Sequence, residues 1–415
     1  MTYAADLHLH SSYAIGTSPT LDLPEMARWA SVKGIDLIAA SDFTHPAWLD
    51  RLERSLVPAD GDLFTLAPDL APDGRSPRVV IGTEISCVYP QDGKGHRVHL
   101  LLFAPSFDTV HRLCRALAPY GALASDGRPL LKLSSRDALA IALDADDRCE
   151  VVPAHAWTPW YSVYGSKGGF DSLHDCFRDL TGHIHAIETG LSSDPSMNWR
   201  IEELDGLSLV SFSDAHSAPR MGRELTVFDG DLTYDGFRHA LATGAIDHTV
   251  EFYPEEGKYH YDGHRACNVC QHPAVTLERG DRCPACGRRL TLGVLHRMEA
   301  LSSRVPAAVQ RDDGVYVDPS GVRPPFRRLV PLDEVIAATL GRGPATKAVR
   351  AAYDRLIAHL GSDLHVLEHA TFDDLATAGS EPIARSVLDA RLGNVTISPG
   401  YDGVYGRVTL GSAPA

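Results

Sequence analysis

The stretch "ADLHLHSS", Ala5–Ser12, decides how the rest of the chain is read. On an extended strand, side chains alternate between two faces, so His8 and His10 project the same way. Two imidazoles on one face suit a metal ion; they also suit the polar side of an edge strand. The pattern returns far along the chain in "SFSDAHS", where Asp214 and His216 again stand one residue apart.

Between these pairs, short apolar runs alternate with helical patterns. "GIDLIAASD", "RVVIGTEIS", "VHLLLFA", "EVVPAHA", "IHAIETG" and "LSLVSFSDAH" are β-branched or leucine-rich runs that hand over to a polar or ionisable residue. "LPEMARWASVKG" (Leu23–Gly34) reads as a helix closed by a C-cap glycine. Strands alternating with helices predict a parallel sheet, and functional residues at strand C-terminal ends predict a barrel-like α/β layout. The residues so placed are His8, His10, Asp42 with His45, Glu84, His99, His155, Glu188, Asp214 and His216. Any one of them alone reads as an ordinary hydrogen-bonded residue. Together they predict a site for two or three divalent metals: zinc, manganese, magnesium or iron.

The 415 residues exceed one compact core and fit two or three domains. We place the boundaries at 1–250, 251–300 and 301–415. The net charge of −15 is concentrated in residues 1–250, at −14 by count, against −1 for the remainder. Carboxylates of a metal-binding domain are partly neutralised by their cations, so the acidity is weak evidence against a nucleic-acid ligand. No apolar run is long enough to span a membrane, and the start lacks the basic and apolar regions of a signal peptide, so a cytoplasmic location is expected.

The ordered motifs "DLHLHSS", "SDFTHP", "GTEIS", the lone His99, "PAHAW" and "SDAH" resemble those of the PHP (polymerase and histidinol phosphatase) domain. The resemblance covers about residues 1–250. It implies a distorted (β/α)7 barrel with up to three metal ions and phosphoester hydrolysis as its chemistry. Two departures stand out. "SSYAIGTSPT" has no acid where many PHP domains carry an aspartate, and Asp42 and His45 are separated by Phe43 and Thr44 instead of being adjacent. Asp194, in "LSSDPSMNW", is the candidate for the missing carboxylate, and with Asp214 and His45 for the proton-handling role.

"CNVC" (Cys267–Cys270) and "CPAC" (Cys283–Cys286) have zinc-ribbon spacing, which predicts one structural zinc on four thiolates. Arg288 and Arg289 beside it read either as a solvated rim or as phosphate contacts. The remainder is expected to be mainly helical, ending in the glycine-rich "PGYDGVYG" (Pro399–Gly406).

This order of PHP domain, ribbon and helical C-terminal region resembles the endonuclease Q family of DNA repair enzymes. The resemblance implies cleavage of DNA on the 5′ side of a deaminated base (uracil, hypoxanthine or xanthine) or an abasic site, leaving a 3′-hydroxyl and a 5′-phosphate. No Walker A motif is present, which argues against an ATP-driven motor. The aromatic, Gly-rich loop Trp157–Ser172 follows His155 directly. Trp160, Tyr161, Tyr164 and Lys167 in it, and Tyr401 and Tyr405 near the end, are candidate DNA contacts; packing within their own loops is the alternative. A monomer is the default expectation, with other repair or replication proteins as further partners and no membrane. Two other functions stay open: a PHP phosphatase of a small phosphate monoester, and a non-catalytic nucleic-acid-binding protein.

Overall fold

The computed structural model describes residues 1–71, 76–305 and 308–411. Part of the Pro-, Asp- and Gly-rich insertion at 58–77 lies outside them, as do the last four residues.

Seven strands form the barrel expected from the sequence. Thr2–Asp6 lies parallel to Leu37–Ala40, which lies parallel to Arg78–Gln91. Arg78–Gln91 turns directly into Lys94–Ala104, which is antiparallel to it and to Glu150–Pro153. Ala186–Glu188 and Ser208–Val210 form a parallel pair. The N–H of Ala156 donates to the carbonyl of Glu188, and Leu9 bridges to Ala215, so the ring closes through short contacts, not full ladders. The antiparallel hairpin and these weak seams are the distortion.

Strand residues of opposite parity enter different cores. Tyr3, Ala5, Leu37, Ala39 and Phe103 fall in one buried cluster with the helix Tyr234–Thr243. Ala4, Ile38, Ala40 and Leu102 fall in another, against the helix Leu23–Lys33. Burial on both faces explains why the strands read as continuous apolar runs. That helix begins at Asp22, whose side chain accepts from the Glu25 N–H, and ends at Gly34, held at φ 81°. These are an ordinary helix start signal and an ordinary stop signal, and both residues are visible in the sequence.

The expected division near residue 300 differs from what the chain does. Leu225–Asp229 and Ile246–Glu251 extend the sheet antiparallel from Thr2–Asp6. Phe326–Arg328 then pairs in parallel with Ile246–Glu251, and Val315–Val317 and Val309–Gln310 follow. The C-terminal region therefore begins as part of the barrel's own sheet, and only then becomes helical, through Leu332–Leu340, Lys347–Leu360, Asp363–Glu368, Phe372–Ala378 and Glu381–Arg391. A buried ion pair between Lys33 and Asp363, joined by the Tyr353 hydroxyl, fixes these helices to the barrel. Among the described residues no helix is long and apolar enough to cross a membrane.

Candidate metal centre

The ionisable residues converge at one end of the barrel. His8 and His10 follow the first strand. Asp42, His155 and Asp214 sit just beyond later strands, held in the left-handed region at φ 67°, 30° and 47°. Such backbone is costly for residues with a Cβ and collects at functional sites. Gly190 passes so close to His155 that a Cβ there would lie 2.6 Å from the histidine's own. Two positions differ from the expectation of strand ends. Glu84 and His99 lie mid-strand in the long hairpin, facing residues Leu101 and Ser86.

Three groups of side chains bring ligand atoms within 4.8 Å of one another: His8, His10 and Glu84; Glu84, His99 and His155; and His10, Asp214 and His216. Glu84 is the hub. Its Oε1 lies 2.5 Å from His99 Nδ1 and 3.2 Å from His155 Nε2, while its Oε2 lies 3.2 Å from His10 Nε2. Asp214 Oδ1 is 3.2 Å from His10 Nε2 and 3.4 Å from His8 Nε2.

The donor set fits divalent metal ions. His8 Nε2, His10 Nε2 and Asp214 Oδ1 are buried, and none has a hydrogen-bond partner among the described residues. Burial opposes charge on His8 and His10, yet both are held well above the ordinary histidine value. Glu188, Asp214 and Glu84 do this for His8, and Asp42, Asp214 and Glu84 for His10. The pocket is thus short of positive charge, which a cation supplies. His99 is pushed down to about 4 by burial, so it stays neutral, as a ligand requires.

Two expected ligands stand behind the cluster instead. The Glu188 carboxylate lies 2.9 Å from His8 Nδ1 and accepts from the His155 N–H at 2.6 Å. Asp42 lies 3.1 Å from His10 Nδ1 and accepts from the Ser11 N–H. Each carboxylate thereby fixes one tautomer and aims Nε2 at the centre. Changing Glu188 to Gln is expected to weaken metal binding by roughly 10- to 100-fold, the usual cost of such a partner, with the fold retained. Isothermal titration with Mn²⁺ measures this, and an unchanged affinity would place Glu188 outside the supporting shell.

Asp194 does not supply the missing carboxylate. Its Oδ1 caps the turn Pro195–Asn198 and its Oδ2 pairs with Arg328 of the sheet extension. His45 is also outside the three groups; its ring packs on Tyr13 at 4.6 Å, ahead of the helix Pro46–Ser55. Sequence reasoning missed Arg128, whose Nη1 donates to Glu84 Oε2 at 3.1 Å. It lies in an irregular loop that carries none of the periodicity of a strand or helix.

Beside the cluster opens a cleft of about 380 Å³, lined by His99, His155, Trp160, Tyr161, Tyr259 and Tyr405, among others. Trp160 meets Tyr259 edge-on at 5.3 Å, Tyr161 lies against His99 at 4.7 Å, and the exposed Tyr405 sits near Lys258. Other candidate DNA contacts lie elsewhere. Tyr164 is buried, stacked on Trp157 and hydrogen-bonded to Glu203. Tyr401 donates to Asn268 and packs on Gly263, docking the tail on the ribbon. Lys167, Arg288 and Arg289 are exposed, Arg289 lying near Asp281.

In the ribbon the fourth partner is His264, not Cys270. His264, Cys267, Cys283 and Cys286 bring their ligand atoms together, with His264 Nδ1 3.6 Å from Cys286 Sγ. Cys270 points to the Pro399 carbonyl. Against desolvation, the backbone N–H groups of Ala285 and Cys286 bring the Cys283 thiol down to about 7. One imidazole and three thiolates make a closed tetrahedral set suited to structural zinc.

Barrel and cluster together define a metal-dependent enzyme built on a distorted α/β barrel. Over its whole length the chain is similar to endonuclease Q. It matches the lesion-specific endonuclease PfuEndoQ from Pyrococcus furiosus with a TM-score of 0.83 and 29% identity, over 99% of this chain and 96% of that one. The match to an endonuclease Q complex with duplex substrate, bearing an abasic lesion at the active site, has a TM-score of 0.82 at 29% identity, over 99% and 97%. Residues 331–394 match the family model of the MJ0043 C-terminal domain. The uncharacterized protein MJ0043 of Methanocaldococcus jannaschii is 34% identical over 62% of this chain, which spans about a third (31%) of its length. The uncharacterized protein YqxK of Bacillus subtilis is 29% identical over 97% of this chain and 98% of its own.

Proposed function

We propose that the chain is a DNA repair endonuclease that hydrolyses the phosphodiester 5′ to a deaminated base or an abasic site. The products are a 3′-hydroxyl and a 5′-phosphate. The observation that carries this reading is the juxtaposition of the Glu84-centred cluster with an aromatic cleft, in a chain similar end to end to the endonuclease Q–DNA complex.

Divalent cations supply Lewis acidity to a phosphate oxygen and acidify water. His8, His10 and Glu84 would hold one, and Glu84, His99 and His155 a second, with Glu84 between them. His10 Nε2 has a single lone pair, so a third at Asp214 and His216 competes for it. Imidazole and carboxylate ligands suit zinc, manganese and iron better than magnesium. Asp214 Oδ1, open at the centre, orients the attacking water. Water adds to phosphorus, the bond to the 3′-oxygen breaks, and that oxygen leaves with a proton. Trp160, Tyr259 and Tyr405 offer stacking faces for the lesion nucleotide, which leaves the helix at lower cost than a sound pair.

The test uses labelled duplexes carrying one uracil, hypoxanthine, abasic site or normal base, with Mn²⁺, Mg²⁺ or Zn²⁺. The expected result is a nick 5′ to the lesion that disappears in Asp214→Ala. Phosphate release from small monoesters without nicking would overturn the reading in favour of a phosphatase. Lesion binding without cleavage under every metal would overturn it in favour of a binding protein.

A further inference from the structure

We infer that Arg128 is a catalytic residue that grips the non-bridging oxygens of the phosphate under attack; the inference rests on the phosphoester chemistry proposed above. Its guanidinium reaches the hub of the metal cluster, yet its side chain keeps 23% of its exposure. Arginine carries five N–H donors in a rigid fork. One is spent on Glu84 Oε2, and among the described residues no other side-chain bond from Arg128 is made. The remaining donors are partly open to solvent beside the carboxylate shared by two of the ligand groups. A phosphate drawn to that carboxylate's cations would meet them.

The backbone of Arg128 is fixed as closely as the ligands. Asp126 Oδ1 accepts from the N–H groups of both Ile15 and Arg128, at 3.0 and 3.2 Å. Gly127 donates to the Tyr13 carbonyl, its own carbonyl accepts from the Thr44 hydroxyl, and the Pro129 carbonyl accepts from the Ser86 N–H. A Cβ on Gly127 would lie 2.7 Å from Asp42 Cγ, so only glycine lets the loop come this near. The segment is thereby tied to the loop after His10, to the loop after Asp42 and to the strand bearing Glu84. A mobile surface arginine would need none of these ties. Preorganised donors aimed where charge develops are the larger contributors to rate in such sites. Phosphoryl transfer gathers charge on the non-bridging oxygens, and arginine forks match that geometry.

The alternative is that Arg128 only balances the charge of Glu84. Two measurements on the full-length, metal-loaded protein separate these roles. The first is the affinity for inorganic phosphate by calorimetry, in the wild type, Arg128→Ala and Arg128→Lys, with metal content measured alongside. The expected result is a loss of about tenfold or more in Arg128→Ala, partly restored in Arg128→Lys, at unchanged metal content. The second is single-turnover nicking of a lesion duplex, expected to fall by roughly 10²- to 10³-fold, as for removal of one transition-state donor. Retained phosphate affinity in Arg128→Ala overturns the inference, and so does loss of metal. If the wild type cuts no lesion duplex but phosphate affinity falls with Arg128→Ala, the DNA reading fails and the role of Arg128 stands.

Discussion

Glu84→Gln is expected to abolish cleavage, with a rate loss on the order of 10⁴-fold, comparable to removing the central member of a catalytic unit. Both oxygens of Glu84 are engaged, one toward His99 and His155 and the other toward His10 and Arg128. A glutamine keeps the volume but presents an N–H₂ donor where one oxygen accepted. Whichever way the amide turns, one ligand group loses its shared acceptor. The two groups joined through Glu84 therefore fail together, whereas loss of His216 touches only one. Metal analysis of the purified variant and single-turnover nicking measure the effect. Nicking within tenfold of wild type would remove Glu84 from the centre.

The second large effect concerns the ribbon. His264→Ala is expected to strip its zinc, and Cys270→Ala to leave the zinc in place. Structural zinc in small modules is held by about 10–16 kcal/mol, so one of four ligands accounts for roughly 10²- to 10³-fold in affinity. Zinc stoichiometry after chelator challenge reads this directly. Zinc lost from Cys270→Ala and retained in His264→Ala would reverse the assignment. The consequence extends past the ribbon itself. Asp402 accepts from the Arg265 N–H and from the Thr291 hydroxyl, and Tyr261 donates to the Gly400 carbonyl. The tail that carries Tyr405 to the cleft thus leans on a platform that a bound zinc would order.

The barrel was legible because its signal is periodic. His8 with His10, and Asp214 with His216, share a face by parity alone, and the flanking apolar runs report strands buried on both sides. The roles of single carboxylates were less so. Asp42 and Glu188 stand behind imidazoles, while Glu84 stands among them, and nothing in a one-dimensional pattern distinguishes the two positions. Asp194 pairs with Arg328, 134 residues away, a partner no local spacing predicts. Arg128 lies in an irregular loop, and its importance comes only from what Gly127 and Asp126 touch. In the ribbon the twin CxxC spacing already offers four thiols and so gives no sign of His264, which precedes Cys267 by three residues. The helical C-terminal segments were readable from amphipathic periodicity. The three short strands ahead of them are two or three residues long, too few to show alternation.

The pairing of Thr2–Asp6 with Leu225–Asp229 has a consequence for the chain's birth. The strand that leads into His8 and His10 leaves the ribosome well before its antiparallel neighbour, which follows more than two hundred residues later. At about 5–20 residues per second, translation takes on the order of 10–45 s to deliver it. Until then the first histidines have no closed ring to belong to, and cations met in the cell find only scattered side chains. Slow, long-range closure of this kind delays folding and leaves sheet edges open to other chains. Metal capture is thus expected only after Leu225–Asp229 has emerged, and the nascent N-terminal half is expected to be the stage most dependent on chaperones.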